Sequence, residues 1–196
     1  DCEMVIINDN PEVDYTFDHP NVRIINHKER FPFISTKIEW GYKQCKHNYI
    51  YRLDDDDLLA PGALKTVKEN ILAHPGYEIY RSDKHFFFVD NKFKMLSSNV
   101  NNGNVYRKKY FESIEFPKKS FGEDVEITYN KKGKIYEAKR KPTMIYRWGM
   151  NTYHTSGFGD NSNKELKEKI EGRVKKEKGV IQLKPKFLKD YYSVLG

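Results

Sequence analysis

The feature that most constrains this chain is a short β-prone run, Tyr49-Ile50-Tyr51, that leads into four consecutive carboxylates, Asp54 to Asp57, and then Leu58-Leu59-Ala60-Pro61. Two like charges about 4 Å apart repel by roughly 1 kcal/mol in water and about 4 kcal/mol at a surface-like dielectric. Four of them at the end of a buried strand are unfavourable unless a cation neutralises them. Oxygen-only donors of this kind suit a hard ion, Mg²⁺ or Mn²⁺, which is commonly shared with substrate phosphates. In open α/β sheets the ligand crevice lies at the carboxyl ends of the strands, where this quartet belongs. The plainer reading is an acidic surface loop after an edge strand. A calcium loop is ruled out, because Leu58 and Leu59 occupy the places of its fifth and sixth residues. An aspartate-nucleophile phosphatase also opens with a strand and Asp-x-Asp; Asp54-Asp55-Asp56 satisfies it, and it stays open.

Around this stretch the pattern alternates strand and helix. Glu3 to Ile7 is a continuous apolar run of buried-strand type that ends in the turn cluster Asn8-Asp9-Asn10-Pro11. Asp9 therefore sits at a strand's carboxyl end, either as a ligand-facing carboxylate or as a turn cap. Val22 to Asn26 is a second strand, followed by the cations Lys28 and Arg30. Ser35 is expected to cap a helix to about Cys45, with Ile34, Ile38, Tyr42 and Cys45 on one face. Pro61 is expected at the first position of a helix whose stripe is Leu64, Val67, Ile71 and Leu72. Strands follow at 78–81, 85–89 and 93–96, a polar loop at 99–104, and a short helix near 108–114. Glu123-Asp124 open another helix, expected to stop at Gly133. Short strands at 135–136 and 144–146 precede a lysine-rich surface helix from about 164 to 178, ending at Gly179.

With 196 residues the chain is most simply one domain. Two cysteines, Cys2 and Cys45, are too few for a disulfide framework and point to a reducing compartment. No apolar run reaches the ~20 residues of a membrane span, and no signal-peptide pattern opens the chain, so a soluble, cytoplasmic protein is expected. The net charge of +7 raises nucleic acid as a partner, but the last 36 residues hold ten Lys/Arg against five Asp/Glu. The surplus is thus mostly a basic tail, and no nucleic-acid partner is expected. A non-catalytic glycan- or nucleic-acid-binding module built on that tail and the aromatics remains a third class.

A strand, Asp-x-Asp-Asp, two apolar residues and Pro-x-x-Leu together resemble the GT-A nucleotide-sugar glycosyltransferases, especially the family-two group. Asp9 stands where that family's Asp-Asp-Gly-Ser strand holds the base, and Lys28-Glu29-Arg30 where it places a basic residue near the nucleotide. Gly103 to Arg107, with Asn104, resembles the strand beside the acceptor site. Gly122-Glu123-Asp124 matches the family's Glu-Asp motif, and Tyr146-Arg147-Trp148 through His154 resembles the region after it. The match covers roughly residues 3 to 156. It departs before Asp1, where the family's first strand and helix have no counterpart, and at Gly149, where many relatives have a histidine. The small size and the Lys-, Asn- and Tyr-rich make-up also resemble a glycosyltransferase domain of algal-virus capsid glycosylation.

The resemblance implies an α/β, Rossmann-like GT-A fold: a mixed central sheet flanked by helices in a single domain. Residues 1–160 would form the catalytic domain and residues 161–196 a basic C-terminal helix and tail. It implies a hexosyltransferase-type enzyme with a nucleotide-diphosphate sugar donor, most simply a UDP-sugar, and a glycan or glycoprotein acceptor. Asp56 and then Asp54 would hold Mn²⁺ or Mg²⁺, with His154 as a further ligand or a structural histidine. Asp55 would touch the ribose, while Asp57 would orient the donor sugar or cap the next helix. Asp124, with Glu123 beside it, would be the base that deprotonates the acceptor; both also suit a helix N-terminus. Trp148 would give a platform for a sugar ring, or serve as a core tryptophan. Lys28 and Arg30 would bind diphosphate or base, or be solvated surface.

Overall fold

The computed structural model describes residues 1–89, 92–97, 101–130, 133–139, 142–148 and 177–184. In chain order they form β1 (Met4–Asn8), β2 (Val13–Thr16), β3 (Val22–Asn26), α1 (Ile34–Gln44), β4 (Tyr49–Tyr51), β5 (Leu58–Leu59), α2 (Ala63–Ala73) and β6 (Ile79–Ser82). There follow β7 (Lys84–Val89), β8 (Lys92–Ser97), β9 (Val105–Arg107), α3 (Lys108–Phe111), α4 (Glu123–Tyr129), β10 (Ile135–Ala138), β11 (Met144–Trp148) and β12 (Gly179–Gln182). These residues fall into two compact units: Asp1–His47 with Phe116–Glu123 and residues 177–184, and Asn48–Glu115 with residues 124–148. Among the described residues no helix is long and apolar enough to cross a membrane.

In the first unit β1 and β3 pair in parallel, Ile6 beside Ile24. Gly41 of α1 lies so near Ile7 that an added Cβ would stand 3.4 Å from it. The α1 stripe is only partly the expected one, since Tyr42 is buried and stacked 5.6 Å from Phe116 while Ile34 is exposed. Ser35 does not cap α1. It lies inside the helix, fully buried, and exchanges hydrogen bonds with the backbone of Lys119, while Ile34 N–H donates to Ser120 Oγ. Those contacts satisfy N–H groups that a cap would otherwise serve. β2 and β12, neither of them expected, pair in parallel. The Asn26 amide accepts from Tyr15 N–H (2.9 Å) and donates to Tyr15 C=O (3.0 Å), doing for β2 what a neighbouring backbone would. Gly179, expected to end a helix, opens β12 with φ +89°; the helix expected at 164–178 lies almost wholly outside the described residues.

The second unit has two mixed four-stranded sheets, β10-β6-β9-β4 and β5-β11-β7-β8. β6 runs parallel to β10 and antiparallel to β9; β7 runs parallel to β11 and antiparallel to β8. Ile79, Tyr106, Phe111, Ile127 and Met144 are all but inaccessible, with the Tyr106 and Phe111 rings 4.7 Å apart. Pro61 is not at a first helical position. Ala63 N–H donates to Ala60 C=O (3.0 Å) and Gly62 has φ +72°, so Pro61-Gly62 are the central pair of a type II turn that precedes α2. The turn rotates α2 from the expected stripe: Ala63 and Asn70 are buried, while Leu64 and Leu72 are exposed. α4 ends at Tyr129, four residues short of Gly133, where an added Cβ would stand 2.7 Å from the Tyr110 ring. Gly133 is thus needed for close packing instead of helix termination.

Candidate functional site

β4 leaves its sheet at Arg52, whose N–H donates to Asn104 C=O (3.2 Å). The chain then turns back on itself, Asp57 N–H donating to Asp54 C=O (3.2 Å). This one turn sorts the four aspartates. Asp55 is exposed, while Asp54, Asp56 and Asp57 offer carboxylate oxygens that all lie within 4.8 Å of one another. Asp57, which enters β5, is buried.

Neighbouring groups hold this cluster. Asn102 Nδ2 donates to Asp54 Oδ2 (2.8 Å) and to Asp57 Oδ2 (2.7 Å). The Arg147 backbone N–H donates to Asp57 Oδ1 (3.1 Å), and Arg147 Nε donates to the Asp56 carbonyl. Arg52 lies 3.3 Å from Asp54 Oδ1. Burial pushes the Asp57 carboxyl up to about 8, and the nearby charges of Asp56 and Asp54 push the same way, against the Arg147 contacts. The helix-capping role for Asp57 falls away, because Gly62 caps α2 and the Asp57 carboxylate points to Asn102 and Arg147. The donor set is all oxygen, compact and negatively charged, which fits Mg²⁺ or Mn²⁺.

In the first unit, Asp9 follows β1 and meets cations of its own. Lys37 Nζ bonds its Oδ1 (2.8 Å) and Phe31 N–H its Oδ2 (3.2 Å). Burial pushes the Asp9 carboxyl up, but Lys37, Phe31 N–H and the Arg30 charge together outweigh it and hold the carboxyl below the usual range. Beside them His27 stacks on Phe31 (4.4 Å) and meets Trp40 edge-on (5.2 Å). Lys28 is turned to Asp14 of β2, 2.5 Å and 2.7 Å from its two oxygens, while Arg30 is exposed.

Glu123 and Asp124 open α4 as expected, Glu123 buried and Asp124 half-buried. Asp124 Oδ1 accepts from Val125 N–H (2.8 Å), and its C=O from the Thr128 hydroxyl (2.7 Å). Thr128 in turn joins Tyr106 (2.9 Å) and Asn104 (3.4 Å), whose side chain is fully buried. Burial pushes the Tyr106 hydroxyl up, and the Asp124 charge adds to it. Trp148 ends β11; His154 lies outside the described residues. Sequence reasoning passed over Asn102, Arg147 and Lys37 as site residues; only Lys37, a few positions after the basic pair, gave a local hint, while Asn102 and Arg147 lie 45 and 90 positions from their Asp57 partner.

The glycosyl transferase family 2 model matches residues 1–130. Among solved structures, the fold is similar to that of S. aureus TarS 1-349, with TM-score 0.55 and 16% identity over 74% of this chain and 51% of that one. The TarS 1-349 complex with UDP gives 0.55 and 16% over 75% and 51%. The complex with UDP-GlcNAc gives 0.53 and 12% over 86% and 69%. The chain spans about half the length of the first of these. No curated protein matches it in sequence. At such identities the likeness speaks for the fold alone, and that fold is the mixed α/β GT-A type expected from the sequence.

Proposed function

The chain belongs to glycosyl transferase family 2, and from that premise we propose that it moves a sugar from a nucleotide-diphosphate sugar, most simply a UDP-sugar, to a glycan or glycoprotein acceptor, with Mn²⁺ or Mg²⁺ at the acidic cluster. The observation that carries this is the convergence of Asp54, Asp56 and Asp57 within 4.8 Å just past β4. The UDP and UDP-GlcNAc complexes of TarS support the choice of donor.

Asp56 and Asp54 hold the cation, joined by Asp57. A cation held by them would supply positive charge against that of the departing diphosphate. Asp55, the exposed member, reaches for the ribose. Asp9, its charge already fixed by Lys37, and the exposed Arg30 are the groups assigned to the nucleotide; Lys28, paired with Asp14, would have to leave that ion pair to join them. Asn104 supports the acceptor side from its buried position through Tyr106 and Thr128, and Trp148 offers a sugar platform. In an inverting transfer the acceptor hydroxyl oxygen forms the new bond to the anomeric carbon while its proton passes to the Asp124 carboxylate. The anomeric carbon–oxygen bond breaks and its electron pair leaves with the nucleoside diphosphate. Glu123, buried beside Asp124 at the start of α4, is the second carboxylate on the acceptor side.

Calorimetric titration of UDP and UDP-GlcNAc with and without Mn²⁺, on the wild type and Asp56→Ala, tests the reading. Mn²⁺-dependent binding lost in the variant is expected. Binding that ignores both metal and substitution counts against the metal centre. A phosphorylated Asp54 with no nucleotide-sugar binding would favour a phosphatase.

A further inference from the structure

Nothing in the motif logic of the acidic stretch involves Asn102, which lies 48 and 45 residues from its two carboxylate partners. We propose that Asn102 is a positioning residue for the metal centre: one neutral amide holds Asp54 and Asp57 in a single ligand-ready arrangement. The proposal rests on the metal reading above and deepens it.

Three observations carry it. First, both amide hydrogens are committed to the cluster, one to each carboxylate, at 2.8 Å and 2.7 Å. Second, Asn102 is buried, and its Oδ1 has no hydrogen-bond partner among the described residues, so the side chain is placed for what its nitrogen does. Third, its backbone is fixed on the following side. Gly103 has φ +79°, and an added Cβ there would stand 2.5 Å from Met144 Sδ. Asn104 C=O is held by Arg52 N–H at the exit of β4, so the loop that carries Asn102 is tied to the strand that carries the aspartates.

The choice of residue also has a chemical reason. A lysine at this position would draw the carboxylates together by cancelling their charge and would compete with a cation for them. An amide orients the same oxygens and leaves their charge intact. Each carboxylate keeps lone pairs free for a metal while one oxygen is steered by the amide, the arrangement that orders ligands from behind in metal sites generally.

The test is Mn²⁺ binding by the full chain, read by electron paramagnetic resonance of free Mn²⁺ in the presence of saturating UDP, on wild type, Asn102→Leu and Asn102→Ser. Leucine keeps the size and removes both donors; serine keeps one. Losing an outer-sphere partner weakens metal binding about 10–100-fold, and that loss is expected for Asn102→Leu, with a smaller loss for Asn102→Ser. UDP binding in EDTA should stay unchanged in both, which a merely structural role would not spare. If Asn102→Leu does not melt cooperatively, Asn102→Ser alone decides. Equal Mn²⁺ affinity in wild type and variants overturns the role of Asn102 and leaves the metal centre standing. Absence of Mn²⁺ binding in the wild type overturns the metal centre and Asn102 with it.

Discussion

Two carboxylates at strand ends in this protein are treated in opposite ways. Asp9 carries its own counter-cations: Lys37 at 2.8 Å, Phe31 N–H and the Arg30 charge hold it ionised below the usual range. Asp57 sits among two further carboxylates, and burial drives it up to about 8, so it takes up a proton near neutrality. The first carboxylate is finished as folded and serves as a fixed acceptor. The second is left short of positive charge, and a proton or a metal ion is what completes it. Charge balance distinguishes a built-in ion pair from the proposed cation site where the sequence offers only aspartates in both places.

The contrast can be broken most severely at Asp56. Removing a cation that contributes several kcal/mol to the departing diphosphate should cut kcat/KM by roughly 10³-fold in Asp56→Ala, about 4 kcal/mol. A steady-state assay with a UDP-sugar reads this; a loss under tenfold would put Asp56 outside the site. The next effect is a pH profile. A raised aspartate must shed its proton to bind a cation, so below about 8 Mn²⁺ affinity should fall by up to about tenfold per pH unit. Stability of the metal-free protein should show the reverse sign. A carboxyl whose folded pKa exceeds its unfolded value stabilises most at acid pH, and that contribution is lost as pH rises from about 4 to about 8. Both trends should vanish in Asp57→Asn.

Gly103→Ala tests the frame that brings Asn102 to the cluster. Positive φ and the approach of Met144 together should cost roughly 2–4 kcal/mol, measured by urea denaturation. The smallest effect is expected at Asp9. Its depressed carboxyl contributes stability above the unfolded value of 3.8 that is lost as pH falls through the folded pKa. Lys37 is partly exposed, so the pair is screened; Lys37→Ala should cost about 1 kcal/mol at pH 7 and less at an acid pH below the folded pKa of Asp9. Equal costs at both pH values would mean that Lys37 contributes by packing, with no ion pair involved.

Much of the frame was legible because it rests on local signals. β1, β3, β6 and β7 are each marked by apolar or aromatic residues within a few positions, and their extents agree with expectation to within a residue or two. β2 and β12 were missed because each is four residues long with no apolar run to mark it, and their pairing spans more than 160 positions. β5 has only two residues. The acidic quartet announced itself, but which three members converge was decided by the turn that sends Asp55 outward, a matter of backbone hydrogen bonding that four identical side chains cannot encode. The basic pair after β3 was legible as charge; that Lys28 faces Asp14 followed from the unforeseen β2. Asn102 gave no signal at all, since its meaning lies wholly in a contact across 45 positions.

The pairing of β12 with β2 also has a consequence in time. The partner of Val13–Thr16 is Gly179–Gln182, so it does not exist until the ribosome has made residue 182. By then every described element of the unit that bears the acidic cluster, the last of which ends at Trp148, has been synthesised. A strand made near the start of the chain thus waits for a partner made near residue 180, while the described strands around the acidic cluster have all been made before that partner.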